Sequence, residues 1–115
     1  MKKKKVLGID IGTTATKVII LDEMGKILGE TQNASTLISK QATWAEEDPN
    51  QWWDNVVLCV PRLLKETGTK AEEIVAVGVG GMVPTLILLD ENGKVEKFRV
   101  QQPEQGIDQT AVKQY

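Results

Sequence analysis

The chain has 115 residues, of which 41% are hydrophobic and 26% are charged. This length allows one compact domain with its own core and is too short for two, so residues 1–115 are expected to form a single domain. The formal net charge is only −2, which gives no field that would favour nucleic acid or an anionic membrane. The run from Lys2 to Lys5 is interpreted as a solvated N-terminal arm.

Cysteine and histidine usage narrows the setting and the chemistry. Cys59 is the single cysteine, so no disulfide can form within the chain, and a buried thiol in a reducing cytoplasm is expected. No apolar stretch is long enough to span a bilayer. The chain has no histidine, which removes the commonest general base, so acid–base chemistry would fall to carboxylates.

The first third of the chain is predicted to form an antiparallel meander of three strands. The strands are expected at Lys5 to Asp10, Thr16 to Asp22 and Lys26 to Thr31. The short connections Ile11 to Ala15 and Asp22 to Lys26 are predicted to be hairpin turns in which glycine supplies a positive φ.

A polar segment and a long helix follow the meander. Residues 32 to 48 have no clear period and are predicted to form a long loop. Asp48 and Pro49 are typical of a helix start, and Gly68 of its end. The expected apolar face of the helix has helical spacing, and Pro61 is expected to bend the helix; that face comprises Trp53, Val56, Val57, Val60, Leu63 and Leu64.

Two more apolar runs suggest further strands. Ile74 to Val79 is predicted to be a buried strand, and Thr85 to Leu89 another. Asp90 to Lys94 is typical of a hairpin turn leading to a strand near Val95 to Val100. The predicted order is β-β-β-α-β with an extra hairpin, an α/β fold with a mixed sheet covered by the long helix.

The first hairpin turn has the residues that a phosphate site requires. Phosphate is bound by converging backbone N–H groups and hydroxyls with no side chain in the way, and Gly12, Thr13 and Thr14 provide these. Asp10 stands beside the turn, where a carboxylate can hold the water shell of a phosphate-bound Mg²⁺ ion. Lys17 adds a nearby positive charge, although a lysine that points to solvent is an equal interpretation.

Two better-known phosphate motifs are absent from the chain. It contains no G-x-x-x-x-G-K-[ST] and no G-x-G-x-x-G that leads into a helix. A strand pattern follows Thr14, so the expected element is a phosphate-binding hairpin.

The segment GIDIGTTATKVIILD resembles the first phosphate motif of the sugar kinase, actin and heat-shock chaperone superfamily, which has a ribonuclease H-like fold. Within that superfamily the chain is most similar to the FGGY carbohydrate kinases, especially xylulokinase-like members. The similarity includes Trp44 to Trp53 and Ile74 to Met82, and it runs from about Val6 to Gly93. It implies the N-terminal domain of an enzyme that uses ATP and Mg²⁺ to phosphorylate a sugar hydroxyl, with a second lobe for adenosine that this chain lacks.

The resemblance also implies substrate contacts. Trp44 is expected to take part in sugar recognition, whereas Trp52 and Trp53 are expected to pack the helix. Met82, Val83 and Pro84 follow the buried strand, where the family has sugar-contacting residues. A xylulose-like substrate is expected from the resemblance, although Val83 and Pro84 stand where xylulokinases carry a Met-His pair.

The catalytic base implied by the family falls in the last fifteen residues, 101–115. Alignment without gaps puts Glu104 at the position of the family's catalytic aspartate, while a small insertion would put Asp108 there. Neither residue has the family's neighbours, so a third interpretation is an irregular tail without a base.

Two other functions stay open from the sequence. One is a non-catalytic sugar- or nucleotide-binding module descended from such a kinase, and the other is an ATPase of the activator or chaperone type. The expected partners are a small sugar and the missing lobe, with a homodimer as an open alternative.

Overall fold

A four-stranded mixed sheet and one long helix form the core of the computed structural model, which describes residues 3–42 and 45–95. The strands lie in the order β3-β2-β1-β4. The first three are antiparallel, and β4 pairs in parallel with β1. This arrangement confirms the predicted α/β class; its elements are β1 (Lys5–Ile11), β2 (Ala15–Asp22), β3 (Ile27–Ala34), α1 (Pro49–Thr67) and β4 (Ile74–Gly81), with a 3₁₀ turn at Ala71–Glu73.

The turn between β2 and β3 forms as its residues predict. Gly25 has a φ of 82°, which favours glycine. The carboxylate of Asp22 accepts hydrogen bonds from the amides of Met24 and Lys26, both at 2.9 Å. These bonds close the turn locally and set the register of the hairpin.

Strand β3 is longer than predicted. It continues to Ala34, so the connection to α1 begins at Ser35 rather than at residue 32. The polar residues at its end are compatible with a strand because β3 lies at the edge of the sheet, where every second side chain faces solvent. The connection is itself partly ordered by an antiparallel bridge between Ile38 and Glu46.

The predicted caps of α1 are confirmed. The carboxylate of Asp48 accepts a hydrogen bond from the amide of Asn50 at 3.0 Å, and Pro49 occupies the first turn. Gly68 ends the helix with a φ of 65° and donates its amide to the carbonyls of Leu64 and Lys65. Among the described residues, no helix is both long and apolar enough to cross a membrane.

The face that α1 turns toward the sheet agrees with the predicted one only in part. Leu63 is buried, and Val60 and Leu64 pack against the core, as predicted. Asn55, Cys59 and Leu63 are buried, and Cys59 is a free thiol as expected. Trp53 and Val57 are 67% and 54% exposed, so their predicted packing role is wrong. The helix packs mainly on β2 and β3, so the part of its surface that bears Trp53 and Val57 is not covered by the sheet.

The core is therefore small and lies between α1 and one face of the sheet. It consists of Leu7, Val18, Ile20, Cys59 and Leu63. Gly29 permits this contact, because a Cβ at that position would lie 2.6 Å from Cγ2 of Thr67 on the helix. A side chain at position 29 would force the Thr67 side chain, or the helix that carries it, to shift.

Strand β4 forms, but the prediction that it is buried is wrong. Val75, Val77 and Val79 are 59%, 56% and 67% exposed. In the described residues β4 has β1 as its only strand neighbour and receives little cover from α1. The apolar run that predicted a buried strand is an exposed apolar edge here.

The hairpin after β4 is confirmed only at its turn. The carboxylate of Asp90 accepts from the amides of Asn92 and Lys94, and Gly93 has a φ of 78°. The predicted strand Thr85 to Leu89 does not form. In the described part of the chain its only β pairing is an isolated bridge between Leu89 and Val95. Residues 96–100 of the last predicted strand lie outside the described residues.

Candidate phosphate-binding site

The turn between β1 and β2 presents free hydrogen-bond donors to solvent. The amide of Gly12 closes the turn by donating to the carbonyl oxygen of Ala15 at 3.0 Å. Thr13 and Thr14 are exposed. Within the described residues, neither their amides nor their hydroxyls take part in a hydrogen bond as donors. In this part of the structure two amides and two hydroxyls thus remain available for an anion, and their role in binding phosphate stays a prediction.

Gly12 is required for a different reason from the one predicted. Its φ is not positive. A Cβ on Gly12 would instead lie 3.1 Å from the carbonyl oxygen of Ala15, the atom that its own amide binds. Glycine is therefore needed for close approach of the two strands at the turn, and the same bare backbone leaves room for a ligand.

Asp10 and Lys17 flank this turn on the two strands. They lie opposite each other in the antiparallel register, and both are exposed. Oδ2 of Asp10 is 3.8 Å from the place where a Cβ of Gly12 would be, so the carboxylate lies beside the turn. Within the described residues it forms no ion pair or hydrogen bond, which leaves its oxygens available.

The donor set near Asp10 suits a magnesium ion that arrives with its phosphates. In the described part of the chain, no group of three or more acidic, histidine or cysteine side chains is arranged to hold a metal. Mg²⁺ usually keeps several waters and binds through one or two carboxylates plus substrate phosphates. A single carboxylate beside the Gly12 turn fits that mode of binding. It could not hold the ion by itself, because a site made only of protein ligands needs several of them.

A cavity of about 330 Å³ lies at the C-terminal end of β4. Met82 lines it, together with Trp52 of the helix, whereas Val83 is 92% exposed and neither Val83 nor Pro84 lines it. Apart from the Thr85 hydroxyl and glycine backbone, the walls are apolar; they comprise Ile11, Trp52, Val79, Gly80, Gly81, Met82, Thr85 and Ile87. Such walls offer few partners for the hydroxyls of a sugar.

The cavity and the side chains of Asp10 and Lys17 lie on opposite faces of β1 and β2. Ile11 and Trp52 line the cavity, which places it on the face that α1 covers. Asp10 precedes Ile11 in β1, and successive side chains of a strand leave opposite faces. Met82 therefore lines a cavity whose Ile11 wall is on the other face of β1 from the Asp10 carboxylate, at the same end of the sheet as the Gly12 turn.

Three of the predicted site residues are outside the described residues. Trp44 lies in the gap between Ala42 and Ala45, and Glu104 and Asp108 lie beyond Val95. Their assigned roles in sugar binding and as catalytic base stay predictions.

The structure adds residues that the sequence did not single out. Asn55 and Gln51 of α1 bind the end of β3 and the residues after it, and Ser35 in that segment donates its amide to the carbonyl of Thr14. One signal was present in the sequence, since Asn55 stands four residues before Cys59 and eight before Leu63, a polar residue on the buried stripe of the helix.

Comparison with known proteins identifies the family of the chain. The profile of the N-terminal domain of the FGGY family of carbohydrate kinases matches residues 5–97. Xylulose kinase of Bacillus subtilis is 32% identical over 92 residues, which are 80% of this chain and 18% of that protein. Glycerol kinase of Coxiella burnetii is 34% identical over 87 residues, or 76% of this chain and 17% of that protein.

Among solved structures, the xylulose kinase of Rhodospirillum rubrum superposes with a TM-score of 0.75 and 35% sequence identity. The match covers 86% of this chain and 20% of that one, so the chain spans about a fifth of the length of the proteins it matches. The profile match extends over most of the chain, and the architecture is that of the sugar kinases. The chain belongs to the FGGY family of carbohydrate kinases, of which it matches the N-terminal domain.

Proposed function

We propose that this chain is the part of an ATP-dependent carbohydrate kinase that binds the β- and γ-phosphates of ATP. The observation that carries the proposal is the turn Gly12 to Thr14, whose two threonines are exposed. Among the residues that the structure describes, their amides and hydroxyls have no acceptor, and the neighbouring Asp10 carboxylate has no partner. Family membership supports it, since the relatives are named as kinases of xylulose and glycerol.

The turn would act by positioning and by stabilising charge. In phosphoryl transfer the protein contributes little covalent chemistry, and most of the rate comes from orientation and from donors aimed at the transferred group. The amides of Thr13 and Thr14 lie in a tight turn whose shape is set by the bond from Gly12 to Ala15. They would therefore reach a phosphate without reorganising, which is the condition for strong electrostatic stabilisation.

Asp10 and Lys17 would act on the charge of the same phosphates. Asp10 would orient the water shell of Mg²⁺, which when bound neutralises charge on the β- and γ-phosphate oxygens. Lys17 lies across from Asp10 on the same face and forms no ion pair with it, so its ammonium group is free to approach an anion.

For the acceptor we propose a sugar or polyol hydroxyl, with a xylulose-like ketose as the first candidate. The support is the similarity to xylulose kinases in sequence and in structure. Trp44 is proposed to contact this sugar, with Glu104, or alternatively Asp108, as the base that accepts the hydroxyl proton.

The proposal is tested by titrating the ¹⁵N-labelled 115-residue chain with MgATP or tripolyphosphate and monitoring the amide signals by NMR. MgATP and tripolyphosphate are expected to shift the amide signals of Thr13 and Thr14 more than those of the Asp90 to Lys94 turn, a second exposed turn for which no role in binding is proposed. Equal small shifts in both turns would contradict the proposal. Binding without phosphoryl transfer, even after a second lobe is joined to the chain, would instead favour a nucleotide-binding module.

A further inference from the structure

A hydrogen bond from Ser35 joins the Gly12 to Thr14 turn to the end of β3. Within the described residues, it is the hydrogen bond to this turn from outside the hairpin: the Ser35 amide donates to the carbonyl oxygen of Thr14 at 2.9 Å. A peptide chain has two soft dihedral angles per residue. The peptide bond itself is planar, so a fixed Thr14 carbonyl also fixes the amide of Ala15 in the same peptide unit. The Thr14 amide is separated from that fixed unit only by the φ and ψ of Thr14, which limits the directions open to it.

Ser35 is in turn held by Asn55 of α1. Asn55 is 3% exposed. Its side-chain Nδ2 donates to the carbonyl of Ala34 at 3.3 Å and to Oγ of Ser35 at 3.4 Å, and its Oδ1 accepts from Nδ2 of Asn33 at 2.8 Å. Both ends of the amide are used, so this buried polar group is satisfied.

Gln51, one helical turn before Asn55, binds Thr36, the residue after Ser35. Its Oε1 accepts from the amide of Thr36 at 2.8 Å, and its Nε2 donates to the hydroxyl of Thr36 at 3.1 Å. The two amide side chains of α1 thus bind residues on both sides of Ser35. Their spacing of four residues places them on one face of the helix.

The choice of asparagine at position 55 is informative. Cys59 and Leu63 continue the same buried stripe, and an apolar residue there would bury more hydrophobic surface. A buried amide stabilises little beyond its own desolvation cost, but its directional bonds specify where the bonded segment lies. Asparagine at position 55 therefore contributes more to fixing the orientation of residues 33–35 than to packing of the core.

We propose that Asn55, assisted by Gln51, is a positioning residue for the phosphate-binding turn. It acts through Ser35 and the Thr14 carbonyl, and it sets the direction of the Thr13 and Thr14 amides without touching the ligand. This inference rests on the proposed phosphate site.

Amide hydrogen exchange and tripolyphosphate titration of the full 115-residue chain test the proposal. In Asn55→Ala, exchange at the Ser35 amide is expected to accelerate by about tenfold while the β1–β2 ladder amides keep their rates, and tripolyphosphate affinity is expected to fall about fivefold. Asn50→Ala is the matched control, since it makes the same change at an exposed position of the same helix. Leu63→Ala controls for destabilisation, because it removes core packing far from Ser35.

The outcomes separate the inference from the proposed function. If the wild-type chain does not bind tripolyphosphate, the proposed phosphate site fails, and the positioning role fails with it. If the wild type binds and Asn55→Ala binds equally well, the phosphate site stands and the positioning role is overturned. The same conclusion holds if Ser35 exchange does not accelerate, or if Leu63→Ala reproduces both effects at equal loss of stability.

Discussion

Asp10 on β1 lies directly opposite Lys17 on β2, yet the two oppositely charged side chains do not form an ion pair. In the described part of the chain, the ion pair that does form joins Lys5 to Glu73 at the other end of β1. Opposed charges in neighbouring strands usually stabilise a sheet only slightly, so leaving them apart costs little. Both groups remain available to a charged ligand at the Gly12 turn.

Removal of the Asp10 carboxylate is expected to abolish catalysis while the fold is kept. In a protein completed with the C-terminal lobe of a relative, Asp10→Asn should lower kcat by at least about a hundredfold, since Mg²⁺ stabilises phosphoryl transfer by several kcal/mol. Thermal unfolding should be unchanged, because Asp10 is exposed and unpaired in the described residues.

The control for that variant is Asp54→Asn, which removes an exposed carboxylate from α1. It should keep full activity in a coupled ADP-release assay. An Asp10→Asn enzyme as active as Asp54→Asn would show that Asp10 has no role with the metal.

A methyl group at Gly12 is expected to damage the turn. Its Cβ would lie 3.1 Å from the Ala15 carbonyl oxygen, so the hydrogen bond from Gly12 to Ala15 must stretch. Loss of about 1 kcal/mol corresponds to a fall in Tm of about 4–8 °C for a domain of this size. Gly80→Ala is the matched control, since nothing lies within 4 Å of its Cβ position. Equal melting temperatures for the two variants, measured by circular dichroism, would refute the close-approach argument.

Local signals in the sequence predicted the local parts of the fold. The Asp48–Pro49 start, the Gly68 end and the Gly25 and Gly93 turns each depend on a few adjacent residues, and all are confirmed. The Gly12 turn was also placed correctly, although the reason for glycine there is steric rather than a positive φ.

Features that depend on distant partners could not be predicted in the same way. Whether Val77 and Val79 are buried depends on what covers β4, and whether Trp53 packs depends on which strands lie under α1. The connection from Asn55 through Ser35 to Thr14 joins three separate segments, and no local pattern encodes it. The Gly12 turn could therefore be predicted from the sequence, but the hydrogen bonds from Asn55 and Ser35 that hold it could not.

The proposed catalytic base can be tested by paired substitutions. In the completed enzyme, Glu104→Gln is expected to remove most activity, by about 10²–10⁴-fold, because the amide cannot accept the proton of the attacking hydroxyl. Asp108→Asn should leave the rate nearly unchanged. The opposite result would assign the role to Asp108, and two fully active variants would place the base elsewhere.

Stability is expected to fall at acid pH through Glu73. Its Oε1 accepts from the amide of Lys70 at 2.7 Å, and Oε2 lies 3.5 Å from the Lys5 ammonium group. The Lys70 bond, and then the charge of Lys5, hold the pKa of Glu73 below its usual value of 4.5. A lowered pKa means that the stabilisation is present above about pH 4.5 and is lost as the pH falls through the lower, folded-state pKa.

Urea unfolding of wild type and Glu73→Gln from pH 7 to pH 3 checks this sign. The difference in unfolding free energy between the two should shrink below pH 4.5. Glu72→Gln, at the exposed neighbouring position, should track the wild type throughout. A Glu73→Gln difference that is independent of pH would show that the carboxylate is not stabilised in the folded state.

The exposed valines of β4 are expected to tolerate a hydroxyl that the core does not. Val79 is 67% exposed and Val18 is 0% exposed. Both pair with Ile9 of β1, so their side chains are on the same face of the sheet, the face that α1 packs against. Threonine keeps the shape and the strand preference of valine, so the substitution tests burial alone. Val79→Thr should leave Tm unchanged, whereas Val18→Thr should lower it by at least about 5 °C, because it buries a hydroxyl without a partner.

The Val79→Thr variant should also be more soluble, since an exposed apolar edge strand promotes association. Thermal unfolding at two protein concentrations distinguishes an effect on the stability of the single chain from an effect on its association. If Val79→Thr lowers Tm as much as Val18→Thr, and more so at high concentration, the β4 face must be covered in solution by a second copy of the chain. That result would contradict the exposed edge seen in the structure, because burial by a partner would then account for the loss of stability.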